Sequence, residues 1–120
     1  MQVFRNCTAL TSIEIPRGVI TIGSDSFNGC TALESIEIPD GVSEIKSSAF
    51  MSCEVLESIT IPASLTSIGA GAFQLCNKLK GGTVKYKGLS DAWSGIAIDS
   101  NNPPFESGIK IICSDNTITL

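Results

Sequence analysis

The 120-residue sequence contains no histidine. Histidine is the side chain most often used as a general base, and it is a common metal ligand. The sequence also lacks a glycine-rich phosphate-binding loop and any group of residues at metal-ligand spacing. We therefore expect no enzymatic activity, no cofactor and no metal site.

Basic residues are few: eight Lys and Arg stand against twelve Asp and Glu, for a net charge of −4. They form no basic stripe, so nucleic acid is not an expected partner. No apolar run approaches the roughly 18 residues that a membrane-spanning helix needs. The first residues, MQVFRNCTAL, show no basic segment followed by an apolar one. We therefore predict neither membrane insertion nor a signal peptide in this chain.

What the sequence does contain is a repeat of 23 residues. Three residue types recur in register: Phe4, Phe27, Phe50 and Phe73; Cys7, Cys30, Cys53 and Cys76; Leu10, Leu33, Leu56 and Leu79. A pair of isoleucines followed by proline recurs in TSIEIP, ESIEIP and ESITIP. One such unit cannot bury its apolar residues alone, whereas stacked units bury all of them in one core.

The repeat predicts short strands near residues 12–15, 35–38, 58–61 and 82–86, paired in parallel about 4.8 Å apart. Proline cannot donate to the hydrogen-bond ladder, so the proline after each isoleucine pair marks the end of pairing. The V-x-x-I stretch that follows is predicted to be extended or irregular, and the Phe-x-x-Cys stretch to form a short helical turn. In the fourth unit Gly82 takes the place of the first isoleucine and Val84 that of the second.

The segment LESIEIPDGVSEIKSSAFMSCEV, residues 33–55, resembles the BspA-like (Treponema pallidum-type) subclass of leucine-rich repeats. The resemblance implies a leucine-rich repeat β-solenoid, with short parallel strands and an irregular or short helical convex side. Residues 1–86 are the expected array of about four units, the first of them partial. Residues 87–120 are the expected C-terminal cap, continuous with the array. The asparagine that usually follows the strand is replaced here by proline, so no asparagine ladder is expected.

Two columns of side chains have structural interpretations. Side chains at equivalent positions of a solenoid point the same way, so the four repeated cysteines do not converge on a tetrahedral metal centre. We interpret them as small buried hydrophobic residues, reduced and slow to react. Phe27, Phe50 and Phe73 are interpreted as a spine along the core. The redox state of the fifth cysteine, Cys113, stays open.

The last 34 residues depart from the repeat. They predict a short helix over Ser90–Ser94, with Ser90 or its neighbour as N-cap. Ile96–Ile98 is predicted to be extended, and Ile109–Cys113 with Thr117–Leu120 to form a hairpin. Trp93 is predicted to pack over the open end of the core, because a solenoid needs an atypical terminal unit.

The residues between and beside the paired isoleucines point outward and form columns along the sheet. The predicted columns are Ser12, Ser35, Ser58 and Gly81; Glu14, Glu37, Thr60 and Thr83; and Arg17, Asp40 and Ala63. Glu14 and Glu37 bring two like charges about one strand apart, which costs stability unless a cation compensates. The candidate ligand-binding residues are Ser12, Glu14, Arg17, Ser35, Glu37, Asp40, Ser58 and Thr60.

The resemblance implies a surface or secreted adhesion-type protein of a bacterium. The predicted function is therefore a non-enzymatic module that binds a protein or glycan ligand on its strand face. One alternative is a structural spacer without a ligand of its own. Another is self-assembly through the N-terminal edge, because Met1–Phe4 begins in mid-unit with no preceding cap. A fragment of a longer array is the other explanation for that beginning.

Overall fold

The computed structural model of the protein describes residues 4–106 and 108–120. Within these residues the elements follow one another as nine short strands, one α-helix and one 3₁₀-helix. They are β1 (Thr21–Ile22), β2 (Ser35–Glu37), β3 (Glu44–Ile45), β4 (Ser58–Ile61), β5 (Ser67–Ile68), β6 (Thr83–Tyr86), α1 (Ser90–Trp93), β7 (Ala97–Ile98), the 3₁₀-helix Pro103–Phe105, β8 (Lys110–Ile112) and β9 (Thr117–Thr119).

The strands form two sheets along one stack. The first sheet has the order β2-β4-β6-β8-β9, and its pairs are parallel except β8 with β9. The second sheet has the order β1-β3-β5-β7, with all pairs parallel. Apolar side chains from both sheets and from the turns between them fill one continuous core. The predicted leucine-rich repeat β-solenoid is confirmed.

We number the turns of the chain as rungs 1 to 5, starting with the turn that contains Glu14. Rungs 2, 3, 4 and 5 contribute β2, β4, β6 and β8 to the first sheet. Rung 1 was predicted to hold a strand over 12–15, but among the described residues of this stretch the first sheet has only a single parallel bridge, Glu14 to Glu37. The Glu34 N–H also donates to the Thr11 carbonyl at 3.0 Å, so rung 1 lies in register with rung 2 although no strand forms there.

The register of the fourth rung differs from the predicted one. Ile59 pairs with Val84 and Ile61 with Tyr86, so these two residues, and not Gly82 and Val84, occupy the isoleucine positions. The chain gains two residues at Gly81-Gly82, where Gly81 has a φ of +74° that favours glycine. The period therefore lengthens from 23 to 25 residues at this point, as the offset from Ile59 to Val84 shows.

The second sheet gives order to the stretch that was predicted to be extended or irregular. Each of its strands has two residues; β1, β3 and β5 each bury one isoleucine, whereas Ile98 of β7 is half-buried. Hydrogen bonds extend the pairing beyond the strands, for example from the Ser43 N–H to the Ile20 carbonyl at 2.8 Å. Strands this short persist because neighbouring rungs satisfy their backbone on both sides.

The Phe-x-x-Cys segments form hydrogen-bonded turns rather than helices. Consecutive phenylalanine rings from Phe4 to Phe73 stack nearly parallel, with centroids 5.1–5.4 Å apart, so the predicted spine is present. Each buried cysteine of the repeat donates its S–H to a phenylalanine carbonyl of the preceding rung. The S···O distances are 2.9 Å for Cys30, 3.2 Å for Cys53 and 3.0 Å for Cys76. The thiols therefore take part in the ladder between rungs as well as filling space.

The C-terminal segment, residues 87–120, adds β7 to the second sheet and β8 and β9 to the first. Trp93 is buried, as predicted, and its ring contacts those of Tyr86 and Phe105 at centroid distances of 5.3 and 5.8 Å. Phe105 meets Phe73 edge-on at 5.2 Å and so ends the stacked spine. The buried side chain of Asn102 accepts a hydrogen bond from the Phe73 N–H at 2.9 Å. In the array the equivalent N–H groups of Phe27 and Phe50 donate instead to an alanine carbonyl of the next rung.

The predicted helix is confirmed over Ser90–Trp93, with Leu89 at the N-cap position. The side chain of Leu89 has no hydrogen-bond acceptor, so another residue has to cap the helix. Asp115 in the hairpin turn accepts from the Ser90 N–H at 2.8 Å and from its hydroxyl at 3.0 Å. These bonds lower the pKa of Asp115, the backbone N–H having the largest effect, because they favour the ionised carboxylate.

Candidate functional site

The candidate site is the outward surface of the first sheet, which we call the strand face. Because isoleucines alternate inward along each strand, the polar residues between them point to solvent. Seven of the eight predicted residues are exposed, and the eighth, Thr60, is half-buried. The strand register places Ser35 beside Ser58, and Glu37 beside both Glu14 and Thr60.

A concavity of about 760 Å³ lies on rungs 1 and 2 of the strand face. Six of the eight predicted residues line it: Ser12, Glu14, Arg17, Ser35, Glu37 and Asp40. Lys87 completes the polar lining from rung 4. The two remaining residues, Ser58 and Thr60, lie on rung 3, outside this concavity. The sheet therefore brings together residues that are 23 positions apart in sequence.

Lys87 supplies the cation that the acidic column requires. Its ammonium nitrogen lies 3.4 Å from a carboxylate oxygen of Glu37 and 3.4 Å from one of Asp40. The hydrogen bond to Asp40 contributes most to raising the pKa of Lys87. All three side chains are substantially exposed, so each pair adds little to stability. Within residues 4–106 and 108–120, Glu14 makes no such ion pair.

The length of the lysine side chain matters here, because Lys87 reaches back over rung 3 to rung 2. Ala63 occupies the intervening position after Pro62 and presents only a methyl group. On rung 4, Lys87 follows Tyr86 at the place where Pro62 follows Ile61 on rung 3. Rungs 2 and 3 have a proline at this position, whereas rung 4 has Lys87, which supplies the cation.

The actual register changes the outer columns. Ser58 pairs with Thr83, and Thr60 with Lys85, so the fourth members are Thr83 and Lys85 instead of Gly81 and Thr83. On rung 5 the same columns continue to Lys110 and Ile112. Sequence reasoning missed these lysines because it carried the 23-residue period past Gly81-Gly82. Matching V-x-Y at 84–86 with the I-x-I of earlier rungs is the signal that would have found them.

A shallower depression of about 340 Å³ lies on rungs 3 to 5 of the same sheet. Its lining includes Thr60, Lys85, Lys87 and the partly exposed Ile112. The strand face therefore has two regions: acidic side chains dominate the first two rungs, and lysines the last two.

The remaining chemistry is that of the cysteines. In the described part of the chain all five are free, and no three metal-ligating side chains converge. Burial raises the pKa of Cys30 to about 11. The pKa of Cys53 is raised as well, by its contact with the Cys76 thiol and by burial. Because the thiolate is the reactive form, we expect these side chains to be poor nucleophiles. No described helix has the length and hydropathy to cross a bilayer.

Comparisons with known proteins agree with this architecture. Residues 1–91 match the model of the BspA type leucine rich repeat region, in six copies. A leucine rich cell surface protein of Faecalibacterium prausnitzii A2-165 is similar in structure, with a TM-score of 0.74 and 40% identity over 79% of this chain and 24% of that one.

A second solved structure, the leucine rich repeat protein of T. pallidum, has a TM-score of 0.64 and 32% identity over 92% of this chain and 42% of that one. The chain thus spans less than half the length of either neighbour. A search of curated proteins found no match. The family model and the repeat geometry lead to the same conclusion: this chain belongs to the BspA-type leucine-rich repeat family.

Proposed function

We propose that the chain is a non-enzymatic binding module whose strand face holds a protein or glycan ligand. The observation that carries this proposal is the concavity of about 760 Å³ on rungs 1 and 2, lined by six of the eight candidate residues. Solenoids characteristically bind through such an ordered surface. The sheet holds the backbones of these residues in fixed register, so their relative positions are set before a ligand binds.

We further propose that the module works at a bacterial cell surface or in secreted form. This extension comes from the family and from the F. prausnitzii neighbour, which is described as a cell surface protein. A spacer that holds another domain away from the cell is the alternative, and self-assembly through the N-terminal edge is another.

The test is a direct binding measurement against a glycan array and a panel of purified extracellular proteins. The variant carries Glu14→Lys and Glu37→Lys, which reverses the charge of the concavity. The matched control carries Glu54→Lys and Glu106→Lys, the same change of charge at two exposed residues away from the strand face. Circular dichroism and thermal unfolding establish that both variants are folded.

We expect a ligand that the unmodified protein and the control bind alike and that the strand-face variant releases. Equal binding by all three proteins would remove the ligand from this surface. A chain that binds nothing on either panel, while remaining folded, would favour the spacer.

A further inference from the structure

The charges on the strand face are arranged with opposite sign at its two ends. The acidic end consists of Glu14, Glu37 and Asp40 on rungs 1 and 2, and the basic end of Lys85 and Lys110 on rungs 4 and 5. The Lys87 ammonium group lies at the acidic end and offsets part of its charge. At the corresponding outward positions rung 3 has Ser58, Thr60 and Ala63, none of which is charged. Rung 3 is therefore the midpoint of a charge reversal along the stack.

A surface of this kind complements itself when it is turned around. A two-fold axis along the strand direction of rung 3 exchanges rung 2 with rung 4, and rung 1 with rung 5. Because such an axis keeps each position along the strand, Glu37 comes opposite Lys85 of a second copy. Asp40 comes opposite Gly88. Glu14 comes opposite Ile112, which lies two residues from Lys110. Isologous contacts of this type make every favourable pair twice.

Arg17 at the acidic end and Asp115 at the basic end are exceptions to the charge separation, and the same two-fold axis relates their positions. Arg17 is the cation of rung 1, in the column that continues to Asp40. On rung 5, Ser114 is held beside rung 4 by hydrogen bonds to the carbonyls of Lys87 and Gly88, and Asp115 follows it. Rotation therefore brings Arg17 toward Asp115 of the second copy.

We propose that the strand face binds the strand face of a second copy of this chain in the opposite direction. The contact is made by ion pairs between the acidic end of one copy and the basic end of the other. The inference depends on the proposed function, in that the strand face is the binding surface, and it names the partner. The module is then homophilic: proteins that carry it recognise one another.

The size of the surface sets the expected strength. Five rungs about 4.8 Å apart make a face about 20 Å wide and about 13 Å along the strand. The area of this face, the product of these two lengths, is well below the roughly 800 Å² per partner that stable complexes bury. We therefore expect weak association between single modules, strongly reduced by salt, and firm attachment only when many copies are displayed together.

The experiment uses charge exchange between two variants. The first variant carries Glu14→Lys and Glu37→Lys, and the second carries Lys85→Glu and Lys110→Glu. Lys87 and Asp40 stay unchanged, so their internal ion pair is kept. Self-association is followed by sedimentation and by the concentration dependence of ¹⁵N relaxation, and multivalent contact by the aggregation of coated beads. The controls are Glu54→Lys with Glu106→Lys, and Lys46→Glu with Lys80→Glu, all at exposed residues.

We expect the unmodified chain and both controls to self-associate at low salt. Each strand-face variant should be monomeric, and beads coated with it should stay dispersed. An equal mixture of the two variants should associate again, because each then presents the charge that the other lacks. This restored association also shows that both variants are folded.

A chain that stays monomeric at the highest concentration, or a mixture that stays monomeric, would overturn the proposal. So would association that survives in either strand-face variant. None of these results would remove the strand face as a binding surface, since the panel experiment tests that separately with heterologous ligands.

Discussion

The repeated rungs and the C-terminal segment both satisfy the backbone groups and cover the apolar core of a neighbouring rung, but they do so with different groups. Within the array, each rung offers the next a copy of its own backbone groups, phenylalanine ring and thiol. At the C-terminal segment no identical rung follows, so unlike groups take over: an amide side chain replaces a carbonyl, and an edge-on ring replaces a stacked one. Repetition makes the array predictable, whereas its end depends on single residues.

The largest effect is expected inside the array. Phe50 is fully buried and is stacked on both faces, by Phe27 at 5.1 Å and Phe73 at 5.2 Å. Phe50→Ala should lower the free energy of unfolding by about 3–5 kcal/mol, because it leaves a cavity that neighbouring rungs cannot close. Urea unfolding followed by circular dichroism measures the loss.

The matching change at the end of the spine is Phe105→Ala. Phe105 is 8% exposed, and the stack ends with it, so its loss should cost less than that of Phe50. Equal losses at the two positions would contradict the distinction between a repeating core and a terminal contact.

The next largest effect on stability is expected from the hydrogen bonds of Asn102 at the end of the array. Asn102→Ala removes the acceptor for the Phe73 N–H and the donor that its amide nitrogen offers to the Gly69 and Asp99 carbonyls, at 3.1 and 2.9 Å. Leaving these buried groups without partners should cost about 1–3 kcal/mol. Urea unfolding gives the value, and hydrogen exchange at Phe73 locates the damage.

Asn77→Ala is the control, since Asn77 is exposed. Asn102→Asp adds a finer distinction, because it keeps the acceptor and loses the donor. An Asn102→Ala variant as stable as the control would show that the terminal rung needs no substitute carbonyl. It would also weaken the proposal that residues 87–120 cap the array.

These two regions also show how far sequence reasoning reaches. The solenoid, its core columns and the outward direction of Glu14 and Glu37 followed from periodicity, because a fixed offset becomes a fixed neighbour in a stack. The role of Asn102 could not be predicted, since its partner Phe73 lies 29 residues away at no multiple of the repeat. Lys87 was missed for a related reason: the two added residues at Gly81-Gly82 hid its alignment with Pro62.

A third prediction compares thiols within one column. The pKa of Cys30 is raised from 9.0 to about 11 in the folded protein, chiefly by burial. Between these two values the unfolded chain loses a proton that the folded chain keeps, so stability should fall as the pH rises from about 9 to 11. Cys30→Ala should reduce this alkaline loss.

Cys7→Ala is the matched control, because Cys7 is only half-buried on rung 1. Unfolding at a series of alkaline pH values gives the slopes, and the difference between variants removes the contributions of Tyr86 and Lys87. Identical slopes for the unmodified chain and Cys30→Ala would contradict the assignment. Thiol labelling at neutral pH should modify Cys7 before Cys30 or Cys53.

The smallest effect concerns the helix of the C-terminal segment. Asp115 caps α1 from the hairpin turn, and its pKa is lowered by the Ser90 N–H and hydroxyl. Its contribution is therefore present above the ordinary carboxyl pKa and should be lost as the pH falls through the lowered value. Asp115→Asn should lower the melting temperature slightly at neutral pH and not at all in strong acid, whereas Asp99→Asn, at an exposed carboxylate, should show no such convergence. If the Asp115 and Asp99 variants behaved alike across the pH range, α1 would be held by Trp93 packing alone, and the end of the array would depend on its core contacts rather than on this cap.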